Sequence, residues 1–279
     1  SEDDNSMMPD DMGGNDDDDE MVEGRRAELY VTNNDNGDIT KFDITNDTQL
    51  TIGTSSTAAE GIYYDASEDL VIQASRSSNW LESFDVTDLL DVDLSLDISF
   101  NGDADLESPL ELAVYVDYFV VADNGSNKFF VYQKTGTMFS LQTTVDVPFP
   151  VWGITFKGGD LYAVVDISSD LAVYYNFLDK AMDGTMYPDK RVTIEGIVRT
   201  HGLTYSGSDD VMVMTDIGDA TNTDDDGGFH IISDFSLKFD ALSDGDVLTT
   251  DNQIRVAGSS TLMGNPIDVA YDSETDIVY

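Results

Sequence analysis

Two stretches of the chain concentrate side-chain oxygens of the kind a hard cation prefers. "NGDADLE" places Asn101, Asp103, Asp105 and Glu107 at alternate positions, and "NTDDDGG" sets Asp224, Asp225 and Asp226 before two glycines. Calcium takes six to eight such oxygens, so both loops are candidate structural Ca2+ sites. Neither fits the twelve-residue EF-hand loop, which needs Gly at its sixth position and Glu at its twelfth. The chain has two histidines. His201, in "RTHGLTY", precedes an apolar strand, and His230, in "GGFHIISDF", falls within one. No Ser-His-Asp arrangement follows from their spacing, since a set could be drawn in any chain this rich in Ser and Asp. His201 is expected to be a loop or channel residue near one mouth, and His230 a packed or surface strand residue. With no cysteine, disulfides, thiolate catalysis and iron–sulfur clusters are excluded.

Charge sets the next bound. The 279 residues carry 56 acids against 13 bases, a formal net charge of -43, and only 11 of the acids are Glu. Such a chain has no basic patch to release counterions from phosphates, so nucleic acid is excluded as a partner and an anionic membrane surface is disfavoured. Self-repulsion at this density relaxes when salt or divalent cations screen it, which suits a saline or calcium-containing medium. Asp disfavours helices but suits turns, where its short carboxylate caps backbone N–H groups. An Asp excess therefore predicts many loops between strands.

The acids are densest at the start. Residues 1–24 hold eleven acids and no base and bury almost nothing, the composition of a solvated spacer. Residues 25–279 form the folded domain. "LYVTNNDNGDITKFDI" (29–44) opens it with an apolar strand, a turn at Asn36-Gly37 and a second strand. The pattern recurs from Gly61, Leu112, Gly153, Gly202 and Pro266, and the aromatic ending each first strand falls at Tyr64, Tyr115, Phe156, Tyr205 and Tyr271. The gaps of 51, 41, 49 and 66 residues fit a β-propeller of four-stranded blades. Each blade is covered on both faces by its two neighbours, which accounts for apolar runs such as Leu70–Ile72, Phe119–Val121 and Val211–Met214. Only "DVTDLLDVDLSL" (85–96) tempts a helical reading. The fold class is all-β, a seven-bladed propeller with five, six or eight blades as alternatives. On this reading Leu29–Asn33 is the second strand of its unit, and the chain ends inside a blade and continues natively beyond Tyr279.

Tyr30-Val31-Thr32-Asn33, with Gly37-Asp38-Ile39 and Phe42-Asp43-Ile44, resembles the YVTN-type propeller repeat of surface-layer and secreted proteins, whose relatives include lactonase-like and NHL-type propellers. Ser1-Glu2-Asp3-Asp4-Asn5 is similar to the export signal behind the lipidated cysteine of Bacteroidota surface lipoproteins, a cysteine that is not in this chain. These resemblances imply an extracellular or outer-membrane setting, with membrane attachment only through a lipid outside this sequence. Lactonase-like relatives hold a cation in the central channel. The equivalent strand starts here bring Glu60, Glu111, His201 and Asp268 toward one mouth, with Asn265 nearby. Trp152, in "VPFPVWG", offers a stacking face at such a mouth, and Trp80, Phe149, Tyr174, Tyr175 and Tyr187 are further aromatic candidates.

The reading that follows is a non-catalytic surface or secreted module, anchored through its acidic N-terminus and binding protein partners, with Ca2+ as its one expected cofactor. The alternatives are a lactonase-like hydrolase using Glu60, Glu111, His201 and Asp268 around a channel cation, and a glycan-binding lipoprotein using Trp152.

Overall fold

The computed structural model describes residues 27–87, 99–101, 106–136 and 138–279. The spacer at 1–24 and most of the 85–96 stretch lie outside the described residues. Strands dominate. The first sheet is β1 (Glu28–Thr32), β2 (Ile39–Asp43) and β3 (Thr48–Ile52). The second is β4 (Ala59–Asp65), β5 (Leu70–Ser75) and β6 (Trp80–Asp85). After the short β7 (Ser99–Asn101) comes a third sheet of β8 (Pro109–Tyr115), β9 (Tyr118–Asp123), β10 (Lys128–Thr135) and β11 (Met138–Asp146). The fourth runs β12 (Val151–Lys157), β13 (Asp160–Val165) and β14 (Asp170–Tyr174), then passes through helix α1 (Phe177–Lys180) and β15 (Gly184–Thr185) to β16 (Lys190–Ile194). The fifth runs β17 (Leu203–Ser206), β18 (Val211–Asp216) and β19 (Gly228–Ile232), then helix α2 (Phe235–Asp240) and β20 (Val247–Leu248), before β21 (Ile254–Ala257). A pair, β22 (Tyr271–Asp272) and β23 (Ile277–Val278), follows.

Consecutive sheets lie side by side through their first strands, β1 on β4, β4 on β8, β8 on β12, β12 on β17 and β17 on β22. Those six strands line one central cavity, so the sheets are blades of an all-β propeller. Five blades of three or more strands and the two-stranded pair are present among the described residues. The expectation for Leu29–Asn33 is corrected here. It is the inner strand of its own blade, because β1 packs on β4 and lines the cavity. A hairpin whose two strands are both apolar does not reveal which one faces the axis.

Side-chain alternation builds the core between blades. On β13, Leu161, Ala163 and Val165 pack toward the third blade, whereas Tyr162 and Val164 pack toward the fifth. On β9, Val120 and Ala122 face the fourth blade and Phe119 and Val121 the second. Central strands covered on both faces therefore read as unbroken apolar runs.

The Asp excess goes largely into turns. Hairpin turns at 44–47, 66–69, 76–79, 124–127, 207–210 and 273–276 all end on Asp or Asn at positive φ: Asp47, Asp69, Asn79, Asn127, Asp210 and Asp276, between 52° and 57°. These are the non-glycine residues that tolerate the left-handed region best. Asp43, Asp65, Asp123 and Asp272, at the ends of the preceding strands, accept backbone N–H groups of Asn46, Ser67, Ser126 and Glu274 at 2.8–3.1 Å. In three turns the aromatic ending the inner strand donates to that left-handed Asp: Tyr64 to Asp69, Tyr205 to Asp210 and Tyr271 to Asp276, at 2.6–2.9 Å.

One further device repeats. After the third strand of the fourth and fifth blades, a left-handed residue (Asn176, φ 49°; Asp234, φ 48°) turns the chain into a short helix. Each helix drives its first Phe between its own blade and the preceding one, Phe177 against Phe129 and Tyr174, Phe235 against Tyr162. The chain then lays a two-residue strand parallel to the outer edge of that preceding blade, β15 on β11 and β20 on β16.

Candidate functional site

The central cavity encloses about 720 Å3 and is lined by the inner strands of all six units. What its mouth presents is decided by irregularities at the strand starts. The register slips between Ala59 and Ile62 on β4, between Pro109 and Glu111 on β8, and between Val151 and Ile154 on β12. A bulge re-aims the side chains it displaces. Here the residues at or beside the slips are Glu60, Glu111 and Trp152, and all three line the cavity. Glycines beside them let neighbouring strands approach. A Cβ on Gly61 would stand 2.6 Å from Glu111 Cα and 2.8 Å from its Oε1, and one on Gly202 would stand 2.5 Å from Asp268 Cα. Side chains larger than hydrogen at these two positions would force the ring apart.

Three carboxylates gather in this way. Glu60 is 9% exposed and Glu111 is buried, while Asp268 opens onto the cavity. Glu60 Oε1 accepts a 2.6 Å bond from Arg76 Nη1, and its Oε2 has no hydrogen-bond partner. The Glu60 backbone carbonyl accepts from the Thr32 hydroxyl. Glu111 Oε1 accepts from the Leu112 N–H at 2.8 Å, and Asp268 Oδ1 from the Val269 N–H at 2.8 Å. Burial holds the Glu111 carboxyl well above the usual carboxylate range, and the charges of Asp268 and Glu60 push it the same way. Enclosure by the surrounding strands raises Asp268 to about 6, against the bond from Val269. Burial also raises Glu60, opposed by Arg76 and reinforced by Asp268.

His201 is not part of this group, which corrects the expectation that it faces the mouth. Its ring stacks on Trp152, with centroids 3.6 Å apart and planes 8° from parallel, and it is buried behind that indole. Nε2 stands 3.4 Å from Asp166 Oδ1, a contact rather than a hydrogen bond. Asp166 is held by Arg199, through Nε at 3.1 Å and Nη2 at 2.7 Å, and by the Ile167 N–H at 2.7 Å. Burial alone would raise Asp166, but His201 and Arg199 outweigh it and bring the carboxyl down to about 2. Burial lowers His201, with Asp166 pulling the other way. Asn265 also turns away from the cavity, toward backbone carbonyls of the 217–222 loop.

The remaining candidates are dispersed. His230 is on a strand and, of the two positions expected, takes the packed one: it is fully buried, with Nδ1 2.7 Å from Gln253 Oε1 and Nε2 3.9 Å from Asp216 Oδ2. Asp226 Oδ2 accepts from the Asp219 N–H at 2.7 Å and the Gly227 N–H donates to Met263 O at 3.0 Å, so this end of the 222–228 loop is pinned to its neighbours. Asp224 is exposed and Asp225 half-buried. Asp103 and Asp105 and the side chain of Asn101 lie outside the described residues, whereas Glu107 is exposed and its N–H donates to Asp123 Oδ2 at 2.8 Å. Among the described residues no three His, Cys, Asp or Glu side chains converge closely enough to hold a metal ion. Phe149 and Tyr174 are core; Trp80 (48%) and Tyr187 (73%) are exposed.

Buried Asp123, Asp166 and Asp216 are residues that sequence reasoning missed. Each stands at or just beyond the end of its blade's second strand. Asp123 takes the N–H groups of Glu107 and Ser108 at 2.8 and 2.9 Å, and Asp216 those of Val198 and Arg199 at 3.0 and 3.2 Å. Asp123 and Asp216 thereby fix the segments that enter β8 and β17, and hence the mouth. The signal was an Asp closing an apolar run, as in "FVVAD", "YAVVD" and "VMVMTD".

No protein-family model and no curated protein matches the chain. Among solved structures, a chain of the crystal structure of a nidogen/laminin complex is similar, with a TM-score of 0.58 at 13% identity, covering 88% of this chain and 82% of that one. At that identity the likeness concerns the fold, and it agrees with the strand topology: this chain is a β-propeller.

Proposed function

We propose that this chain is a non-catalytic propeller of the cell surface or the extracellular medium, working as a protein-interaction module and tethered through its acidic N-terminal stretch. The observation that carries the reading is where the reactive side chains lie. Both histidines are buried, His201 behind the indole of Trp152 and His230 within β19, so among the described residues neither lines the cavity beside Glu60, Glu111 and Asp268 to serve as a base. A net charge of -43 then favours partners that bring basic groups. The nidogen/laminin structure, a protein complex on the same fold, is compatible with such a role. A YVTN-type affiliation, lipidation of a preceding cysteine, seven four-stranded blades in the closed ring, and Ca2+ at the 101–107 and 222–228 loops complete the proposal. Gentle extraction from the native source, followed by native mass spectrometry with and without chelator, tests it. We expect a protein assembly whose N-terminal peptide carries a lipid mass and which loosens in high salt. A lone, unlipidated monomer overturns it.

A hydrolase with a cation in the channel is the second reading, for which Glu60, Glu111 and Asp268 line the cavity without converging on one point. It requires a stoichiometric metal on the purified chain and loss of activity in Glu60→Gln or Asp268→Asn. Glycan recognition through Trp152 would instead show as affinity lost in Trp152→Ala.

A further inference from the structure

We propose that the channel mouth binds an organic monocation, an alkylammonium or guanidinium group, between the carboxylates of Glu60, Glu111 and Asp268 and the indole of Trp152. The inference rests on the cavity alone and stands whether or not the interaction-module reading holds.

Charge is the first argument. Three carboxylates share the mouth, and among the described residues the one cationic side chain bonded to them is Arg76, which occupies only Oε1 of Glu60. The second carboxylate oxygen of Glu60 is buried and has no partner, in a residue more than nine-tenths buried that lines the cavity. A buried acceptor without a donor carries a desolvation cost that a bound N–H donor would remove.

Size and shape choose the kind of cation. A divalent metal needs several oxygens converging at about 2.0–2.6 Å on one point. Among the described residues no such convergence exists. Ammonium and guanidinium groups reach carboxylates at about 2.7–2.9 Å through several divergent N–H bonds, and so bridge carboxylates that are near one another without being concentric. Trp152 supplies the remaining wall. One face of its indole is taken by His201, which locks its orientation, and the residue still lines the cavity. A cation within about 6 Å of an indole centroid gains from the ring quadrupole, most of all where water is scarce. A cavity of about 720 Å3 admits a butyl-sized chain or an arginine side chain with room for water.

The cationic group could come from a free amine or from a Lys or Arg side chain of a protein, and one experiment separates these. In the full chain carrying Trp80→Phe, Trp152 is the sole tryptophan, so its emission reports on the mouth. Titrations at low ionic strength would use n-butylammonium chloride, acetyl-Gly-Arg-Gly-amide, calcium chloride and the neutral analogue n-butanol. We expect saturable changes with an organic cation and none with n-butanol. Glu111→Gln and Asp268→Asn, which keep shape and remove charge, should each weaken binding about tenfold or more while circular dichroism stays native. Tighter binding of the peptide assigns the site to a protein side chain, and equal or tighter binding of butylammonium assigns it to a free amine. No saturable response, an equal response to n-butanol, indifference to both charge-removing variants, or stoichiometric Ca2+ binding that excludes the amines would each overturn the proposal.

Discussion

Asp268 and Glu111 show what a residue costs when its position is set by something other than stability. Both carboxyls titrate above their ordinary range in the folded chain. The folded state therefore holds protons that the unfolded state releases, and stability falls as pH rises through the interval between the two values. For Asp268 that interval runs from 3.8 to about 6. Glu111→Gln should accordingly raise Tm at pH 7 by a few degrees, and Asp268→Asn by less because its side chain is open to the water of the cavity, with the gain closing below about pH 4 as both states become protonated. Calorimetry across that range checks it; an equal gain at every pH would mean the carboxylates carry no ionisation penalty. Residues kept at such a penalty, around a recess, mark a binding position more often than a packing one.

At the scale of elements, two repeated devices hold the blades, and each makes a prediction. The left-handed turn residue is the first. Asn127 sits at φ 54° with its Oδ1 buried and unbonded. Asn127→Ala should cost about 1 kcal/mol because alanine resists that backbone region, whereas Asn127→Gly should be nearly neutral. Urea melts of the two variants decide this, and an Ala variant as stable as the Gly one would refute the backbone argument. The second device is the helix that plugs an inter-blade seam. Phe177 is fully buried against Phe129 and Tyr174, so Phe177→Ala should cost about 3–5 kcal/mol by the same melts. Much of this architecture was legible in the sequence. The five aromatics from Tyr64 to Tyr271 do fall at the last or next-to-last position of the inner strands, and the apolar runs lie on the doubly covered second strands. The plugs were legible too, as "NFLDKAMDGT" and "DFSLKFDALSDGD", but their four- and six-residue helices are too short to give a helical period. The facing of His201 was not legible. A bulge shifts the inward–outward alternation by one, and nothing local to "RTHG" tells whether the imidazole or the indole of Trp152 fronts the cavity.

At the scale of the whole molecule, charge and connectivity dominate. With a formal charge of -43, Tm should climb as sodium chloride rises from about 10 mM toward physiological strength, where the screening length shrinks from roughly 30 to 8 Å, and then level off. A melt indifferent to salt would show that repulsion between blades is negligible. The parallel edge segments bear on a different property. Because β15 belongs to the fourth blade yet pairs with the third, and β20 belongs to the fifth yet pairs with the fourth, the third and fourth blades are each fastened by chain that lies further along. A pull applied at the C-terminal end must strip the fifth blade before it can free the outer edge of the fourth, and the fourth before that of the third. Such a ratchet yields in order from one end. Pulled in an optical trap, these three blades should let go as a staircase whose sequence reverses that of their synthesis.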